Sequence, residues 1–297
     1  MIDLHTHSTY SDGFCSPQEL VKQAQEIGLE ALALTDHDAV SGLEELEQAA
    51  KGSRLEIVSG AELTVDYPQT DMEIITLDIP KKSIAAFLTL QKEEIKYRKS
   101  LALKRLEILQ KNGFNITYED IAYDPTGKER QQIRRPHFVD VLLRKGYIKD
   151  IEEAYQKIFA KDGICHIESL KPPVKEIIGF IKENGARAIL AHPIHTKHTG
   201  AALYELIKEL KGYGLDGIEV LHSSHTLAHR QEYLGIIKDL RLITAGGSDY
   251  HGGTAHPENK LGTGNKNNLN IPYFVLEVLR ERITPSASYY QELVNYL

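Results

Sequence analysis

The amino-acid sequence predicts an α/β protein in which βα units surround a parallel sheet or barrel, with one small helical subdomain inserted. Three observations predict it. Short β-prone runs alternate with helical stretches, and this rhythm is broken once, between about Ser83 and Pro173. Nearly every strand-like run is followed at once by His, Asp or Glu. The length of 297 residues favours one large domain or one domain carrying an insertion, and 41% hydrophobic residues against 26% charged argue for a sizeable core rather than disorder.

In chain order, Ile2 to Leu4 reads as the first strand. Ser16-Pro17-Gln18-Glu19 is a capping box with proline at the first helical position, opening a helix expected to end near Gly28. Strands follow at Ala31 to Thr35, Glu56 to Val58 and Met72 to Leu77. A long charged helix pattern, Ile84 to Lys111, then leads into a polar loop and two shorter helical stretches. The loop from Tyr123 to Gln132 is rich in turn formers and is expected to order when something binds. Residues 99–166 are expected to form the inserted helical subdomain, with 1–98 and 167–297 making the main domain. A helix over Val174 to Glu183 stops before Gly185, which suits a left-handed closing residue. Strands are expected at Ala188 to Ala191, Gly217 to Leu221 and Leu242 to Ala245, and a helix at Tyr273 to Arg282. From Thr284 to Leu297 the signals are weak.

The net charge of -7 excludes a basic surface that grips long nucleic acid by counterion release, so no duplex DNA partner is expected. Two cysteines, Cys15 and Cys165, are too few for a disulfide scaffold or a thiolate zinc ribbon. Met1-Ile2-Asp3-Leu4-His5 does not resemble a signal peptide, and no stretch approaches the roughly 20 apolar residues of a membrane span. A cytoplasmic enzyme with no membrane partner is therefore expected. The unusual feature is 13 His with no Trp, because histidine is the commonest metal ligand.

The strand ends carry His5 and His7, then Asp36, His37 and Asp38, Glu62, His192, His222 and His225, and lastly Asp249 and His251. In a barrel of parallel strands all C-terminal ends share one face, so these scattered residues would converge on one site. His5 and His7 stand at i and i+2, on the same side of an extended segment, where they would clamp one ion. Asp249 and His251 repeat that spacing after the paired glycines Gly246 and Gly247, which let the backbone come close to a site. His37 is flanked by two acids that would orient its ring. Imidazole with carboxylate suits zinc, iron or manganese without sulfur.

These motifs, Asp3-Leu4-His5-Thr6-His7 with Ser11-Asp12-Gly13, Thr35-Asp36-His37-Asp38, Gly60-Ala61-Glu62, Ala191-His192-Pro193 and Gly247-Ser248-Asp249-Tyr250-His251, resemble the PHP (polymerase and histidinol phosphatase) metallophosphoesterases. The resemblance covers residues 1 to about 80 and 130 to 262. It implies a distorted (β/α)7 barrel holding two or three divalent ions. By position it implies His5, His7, Glu62 and Asp249 on one ion, Glu62 bridging to a second held by His192, and Asp12, His37 and His251 on a third. The family usually has histidine where this chain has Glu73, which shifts expected metal preference toward manganese or magnesium. Asp249 and His192 are expected to be essential for catalysis. The resemblance further implies that Arg135 and His137 grip a substrate phosphate and that His225 contacts substrate or protonates the leaving oxygen.

The closest subgroup has an inserted helical domain and contains nucleoside 3',5'-bisphosphate phosphatases and 5'-to-3' exoribonuclease-like enzymes. The expected substrate is therefore a small nucleotide, foremost the 3'-phosphate of a nucleoside 3',5'-bisphosphate, or short RNA trimmed from its 5' end. Four carboxylates (Asp12, Glu62, Glu73, Asp249) against three divalent ions leave about +2, a field that favours phosphate. A water made acidic by two metals would be the nucleophile, so no nucleophilic side chain is needed. A phosphatase of another small metabolite such as histidinol phosphate, and a regulatory module that binds metal without turnover, are the alternatives. His166, His195, His198, His222, His229 and His256 read as ordinary core or surface residues, although His195 stands where relatives often have arginine. Lys92 to Lys99 reads as the exposed face of a charged helix, and Cys15 as packing.

Overall fold

The computed structural model describes residues 1–68, 70–124, 127–168, 170–253 and 258–297. Pro125 and Thr126 of the polar loop, and His256, lie outside the described residues. Seven strands form one sheet in chain order: β1 (Ile2–Asp3), β2 (Ala31–Leu34), β3 (Glu56–Tyr67), β4 (Thr70–Leu77), β5 (Arg187–Leu190), β6 (Gly217–His222) and β7 (Ile243–Gly247). A separate two-stranded ribbon pairs β8 (Asn259–Lys260) with β9 (Gly264–Asn265). The sheet curls until its first and last strands meet, where the Leu4 amide donates to the Gly246 carbonyl at 3.1 Å and Thr6 bridges to Tyr250. The expected seven-stranded barrel is the observed architecture.

One strand departs from the expectation of an all-parallel set. β4 runs antiparallel to both β3 and β5, while the other neighbours are parallel. A parallel neighbour needs a crossover of a dozen or more residues, and the chain between Tyr67 and Thr70 is far too short for one, so the two strands fold back as a hairpin. The same pairing extends β3 well beyond the three residues that the apolar run suggested.

The helices are α1 (Pro17–Glu26), α2 (Leu43–Ala49), α3 (Ile84–Lys111), α4 (Tyr118–Ala122), α5 (Arg135–Arg144), α6 (Ile151–Glu153), α7 (Val174–Glu183), α8 (Gly200–Tyr213), α9 (Leu227–Leu240), α10 (Phe274–Glu281) and α11 (Ala287–Leu293). The Ser16 capping box forms as expected, with Ser16 Oγ accepting the Glu19 amide and Glu19 returning the bond, and Gly28 beyond the helix has φ +75°. α3 and α7 occupy the stretches their periodicity indicated. α11, where the sequence signals were weak, is held by tertiary bonds: the Tyr289 hydroxyl accepts the Thr244 amide at 2.8 Å and the Tyr290 hydroxyl donates to the Leu242 carbonyl at 3.1 Å.

Apolar side chains gather in two clusters. One fills the barrel and its surrounding helices, and the other draws on residues from Ala102 to Cys165. α3 joins them, since Phe87 packs into the first cluster and Ala102, Leu106 and Leu109 into the second. Its 28 residues span roughly 42 Å, a rigid arm between the two. Among the described residues no helix is long and apolar enough to cross a membrane.

Phe138 is fully buried in the second cluster, its ring edge-on to Phe159 with centroids 6.3 Å apart. Phe138→Ala is expected to destabilise the protein by about 3–5 kcal/mol in a urea titration. A loss below about 1 kcal/mol would show that this cluster is not closely packed.

Candidate active site

The barrel's closure sets the site. A Cβ on Gly247 would fall 2.3 Å from the His5 Cβ, so only glycine lets β7 pass this close to the first strand's ligand segment. His5 and His7 then point to one centre, their Nε2 atoms 3.1 Å apart. Asp249 Oδ1 lies 3.5 Å from His5 Nε2 and 3.2 Å from His7 Nε2, and Glu62 Oε2 is 3.4 Å from each. Asp249 (φ +54°) and His192 (φ +21°) both hold left-handed backbone that non-glycine residues rarely adopt, a strain that clusters at functional sites.

His192 Nε2 lies 2.9 Å from Glu62 Oε1 and 3.6 Å from Glu73 Oε2. Glu73 Oε1 in turn lies 3.3 Å from His37 Nδ1, which is 3.1 Å from Glu62 Oε2. Glu73 sits in the first half of its strand, and it reaches this rim because β4 runs backwards. His37 Nε2 is 3.7 Å from Asp12 Oδ2, and His251 Nε2 is 3.4 Å from Asp12 Oδ1. All nine expected ligands therefore meet in overlapping groups, among them His5, His7 and Asp249; His5, Glu62 and His192; His37, Glu62 and Glu73; and His7, Asp12, His37 and His251.

Electrostatics follows from this crowding. Burial, reinforced by His251 and His37, pushes the His7 imidazole down to about 3. Burial opposes charge on His192 and His251 too, yet Glu62 raises the first to about 9, and Asp249 and Asp12 raise the second to about 9. For Glu62, burial would raise the carboxyl, but His5 and His37 hold it well below the ordinary range, so it is ionised near neutral pH.

The acids flanking His37 do not orient its ring, contrary to expectation. Asp36 accepts the Ser8 amide (2.7 Å) and the Ser8 and Ser11 hydroxyls (both 2.6 Å), fixing the loop between His7 and Asp12. Asp38 turns away with φ +52°, accepts the Thr64 amide at 2.8 Å and pairs with Arg134 and with Arg98 at 3.2 Å. Beside it, Gln132 donates to the His37 carbonyl at 3.0 Å.

A cavity of about 230 Å³ opens above these candidate ligands. Asp12, His37, Glu62, Glu73 and Asp249 line one part of it, and Arg98, Arg105, Arg134 and Arg135 another. Arg135 is exposed over the Tyr155 ring, 6.0 Å from its centroid. Two residues expected at the substrate do not line the cavity. His137 is 1% exposed and its Nδ1 accepts the Arg134 amide at 3.0 Å, so it caps α5; His225 is 3% exposed with Nδ1 against the Val220 carbonyl at 3.1 Å. The Nε2 atom of each ring is buried without a hydrogen-bond partner among the described residues. His195 does line the cavity.

Several residues here escaped sequence reasoning. Arg98 interrupts the supposedly solvent-facing Lys92 to Lys99 surface, because Asp38 and Glu94 draw it inward. Arg105 shares the apolar spacing of Ala102, Leu106 and Leu109, which was the available signal. Its side chain has no hydrogen-bond or ion-pair partner among the described residues, and burial followed by Arg135 pushes it down to about 10. His222, read as ordinary, is fully buried with Nε2 3.9 Å from Asp249 Oδ2. Glu219, an isolated charge within apolar β6, contacts His5.

Comparison with known proteins places this arrangement. Residues 3–169 match the PHP domain model. The chain is 30% identical to a 5'-3' exoribonuclease of Haemophilus influenzae over 84% of its length and 89% of the relative's. It is 28% identical to a phosphoribosyl 1,2-cyclic phosphate 1,2-diphosphodiesterase of Eggerthella lenta (84% and 94%) and 29% identical to a 3',5'-nucleoside bisphosphate phosphatase of Chromobacterium violaceum (84% and 87%). A crystal structure from Bifidobacterium adolescentis, assigned as a metal-dependent phosphoesterase, superposes with a TM-score of 0.80 at 25% identity, covering 97% of this chain and 98% of that one.

Burial would raise the Asp38 carboxyl, but Arg134 and then Arg98 hold it below the ordinary aspartate range. A depressed folded pKa contributes stability that is present above the unfolded value near ~4 and lost as pH falls through the folded one. Asp38→Asn is expected to cost about 3–5 kcal/mol at about pH 7, because it takes the carboxylate from the buried Arg134 guanidinium and leaves Arg98 with Glu94 alone. The gap from wild type should narrow by about pH 3, where the wild-type carboxylate starts to protonate. An equal gap at both pH values in urea titrations would overturn this assignment.

Proposed function

This chain belongs to the PHP family and is a metal-dependent phosphoesterase, and on that premise we propose that it removes the 3'-phosphate of a nucleoside 3',5'-bisphosphate. The observation that carries the substrate is the pair Arg105 and Arg135, two cations that have no carboxylate partner among the described residues and line the same cavity as the candidate ligand cluster. Guanidinium groups match phosphate oxygens in geometry and charge, so the pair would hold the phosphate that is not cleaved. A substrate with one phosphate, such as histidinol phosphate, leaves both unpaired. Short RNA with a 5'-terminal phosphate presents a similar pair of phosphate groups, and likeness to the Haemophilus influenzae exoribonuclease favours it as a second substrate.

The residues fit divalent ions. Glu62 Oε2, Asp12 Oδ1 and His37 Nδ1 are buried without hydrogen-bond partners among the described residues, in a centre where His5 and His7 turn Nε2 toward each other. His5, His7, Glu62 and Asp249 would hold one ion, Glu62, His192 and Glu73 a second, and Asp12, His37 and His251 a third, with manganese preferred over iron or zinc because four of the nine donors are carboxylates. Such ions supply an acidified water and neutralise charge on phosphoryl oxygens. We assign residues 99–166 the role of a cap on the domain formed by 1–98 and 167–297, since Arg105 and Arg135 both come from it. A cytoplasmic setting is supported by the free thiols Cys15 and Cys165.

Purified protein is expected to carry two or three transition-metal ions per chain by elemental analysis, and Asp249→Asn and His192→Ala to lower kcat by orders of magnitude while circular dichroism stays unchanged. Fewer than one ion per chain after reconstitution with manganese, iron or zinc would overturn the metal assignment. Arg105→Ala and Arg135→Ala should each lower kcat/KM for a 3',5'-bisphosphate by about 10- to 1000-fold, roughly 1.4–4 kcal/mol, yet leave p-nitrophenyl phosphate nearly unaffected. Equal losses on both substrates would place these arginines in the fold or at the ions instead.

A further inference from the structure

β6 reads Gly-Ile-Glu-Val-Leu-His, and Glu219 is its one carboxylate, with no exposed surface. Such a charge is expensive to bury unless its oxygens are fully engaged. Both are engaged, and both by candidate ligand residues: Oε1 accepts from His5 Nδ1 at 3.1 Å, and Oε2 accepts the His192 backbone amide at 2.8 Å. Among the described residues its only ion-pair partner is His5.

Each contact has a consequence for the site. A carboxylate facing Nδ1 keeps a proton on that nitrogen, so the lone pair of His5 lies on Nε2, the atom 3.1 Å from His7 Nε2 and 3.5 Å from Asp249 Oδ1. The second bond anchors the peptide of His192, whose φ of +21° and ψ of +71° lie outside the well-populated regions. We propose that Glu219 is a positioning residue that sets the tautomer of His5 and the backbone of His192, tying two ligands of different strands to one buried carboxylate. This rests on the metal assignment above. Glu219, His5 and His222 also bring donor atoms within 4.8 Å of one another. His222 Nδ1 accepts the Ser224 amide at 3.2 Å, which leaves its other nitrogen carrying the proton.

The test is manganese affinity, measured by calorimetry on metal-free protein and its reconstituted form, for wild type, Glu219→Gln, Glu219→Asp, His5→Ala and the double variant His5→Ala/Glu219→Gln. An amide cannot accept from both partners, so Glu219→Gln should weaken manganese binding about 10- to 100-fold with the circular dichroism spectrum and urea midpoint of the metal-free protein retained. Glu219→Asp, which keeps the charge, should recover part of the loss. In the His5→Ala background the same substitution should cost clearly less, because half of its action is gone. Equal affinity in wild type and Glu219→Gln would overturn the proposal alone, as would strict additivity in the double variant. Unfolding of both Glu219 variants would also overturn it, since the carboxylate would then serve the barrel and not the ligands. Failure of wild type to take up any manganese, iron or zinc would overturn the metal assignment and this proposal with it.

Discussion

The seam between β1 and β7 is the constraint on which the molecule depends. Asp3, fully buried, closes it: its carboxylate accepts the Ser248 amide (2.9 Å), the Ser248 hydroxyl (2.6 Å) and the Gly262 amide (2.8 Å). The Asp249 amide then donates to the His5 carbonyl at 2.9 Å. Candidate ligands separated by more than 240 residues thereby come within 3.5 Å of each other. Burial would raise the Asp3 carboxyl, and the donors around it only partly offset that, so the clasp relies on hydrogen bonds and has no cationic partner among the described residues.

The remaining candidate ligands depend on the one reversed strand. With β4 antiparallel, Glu73 pairs with Thr64 in the β3–β4 register and stands at the same rim as Glu62. Two carboxylates then meet His37 and His192 across a ring of imidazoles, with His7 and His251 stacked at 4.0 Å between centroids. So many donors in so small a volume repel one another unless protons or cations are shared among them.

Asp38 couples this rim to the helices of the second cluster. It holds Arg98 from α3 and Arg134 from the start of α5, and Gln132 next to Arg134 grips the His37 carbonyl. The cavity wall that carries the arginines is thus fastened to the backbone of a candidate ligand, so a shift of one moves the other. Such a link gives the helices of the second cluster a physical route to the site without a direct contact to every candidate ligand.

Local patterns in the chain suffice for much of this. Periodicity located α3 and α7, the Ser16 cap located α1, and the spacing of His5 with His7 and of Asp249 with His251 marked residues that do converge. Those signals are readable because each depends on neighbours within a few positions. The direction of β4, the depth of His137 and His225, and the partners of Asp36 and Asp38 depend on which distant element packs against each side chain, and that information is not local. Arg98, Arg105 and Glu219 belong to the same group: each is an ordinary charge along the chain, and only burial against a specific partner, or the lack of one, distinguishes it. Residue type and spacing thus determined the chemistry available to this protein, whereas tertiary packing decided which groups face the cavity, since the cost of burying a charge is set by what surrounds it in three dimensions.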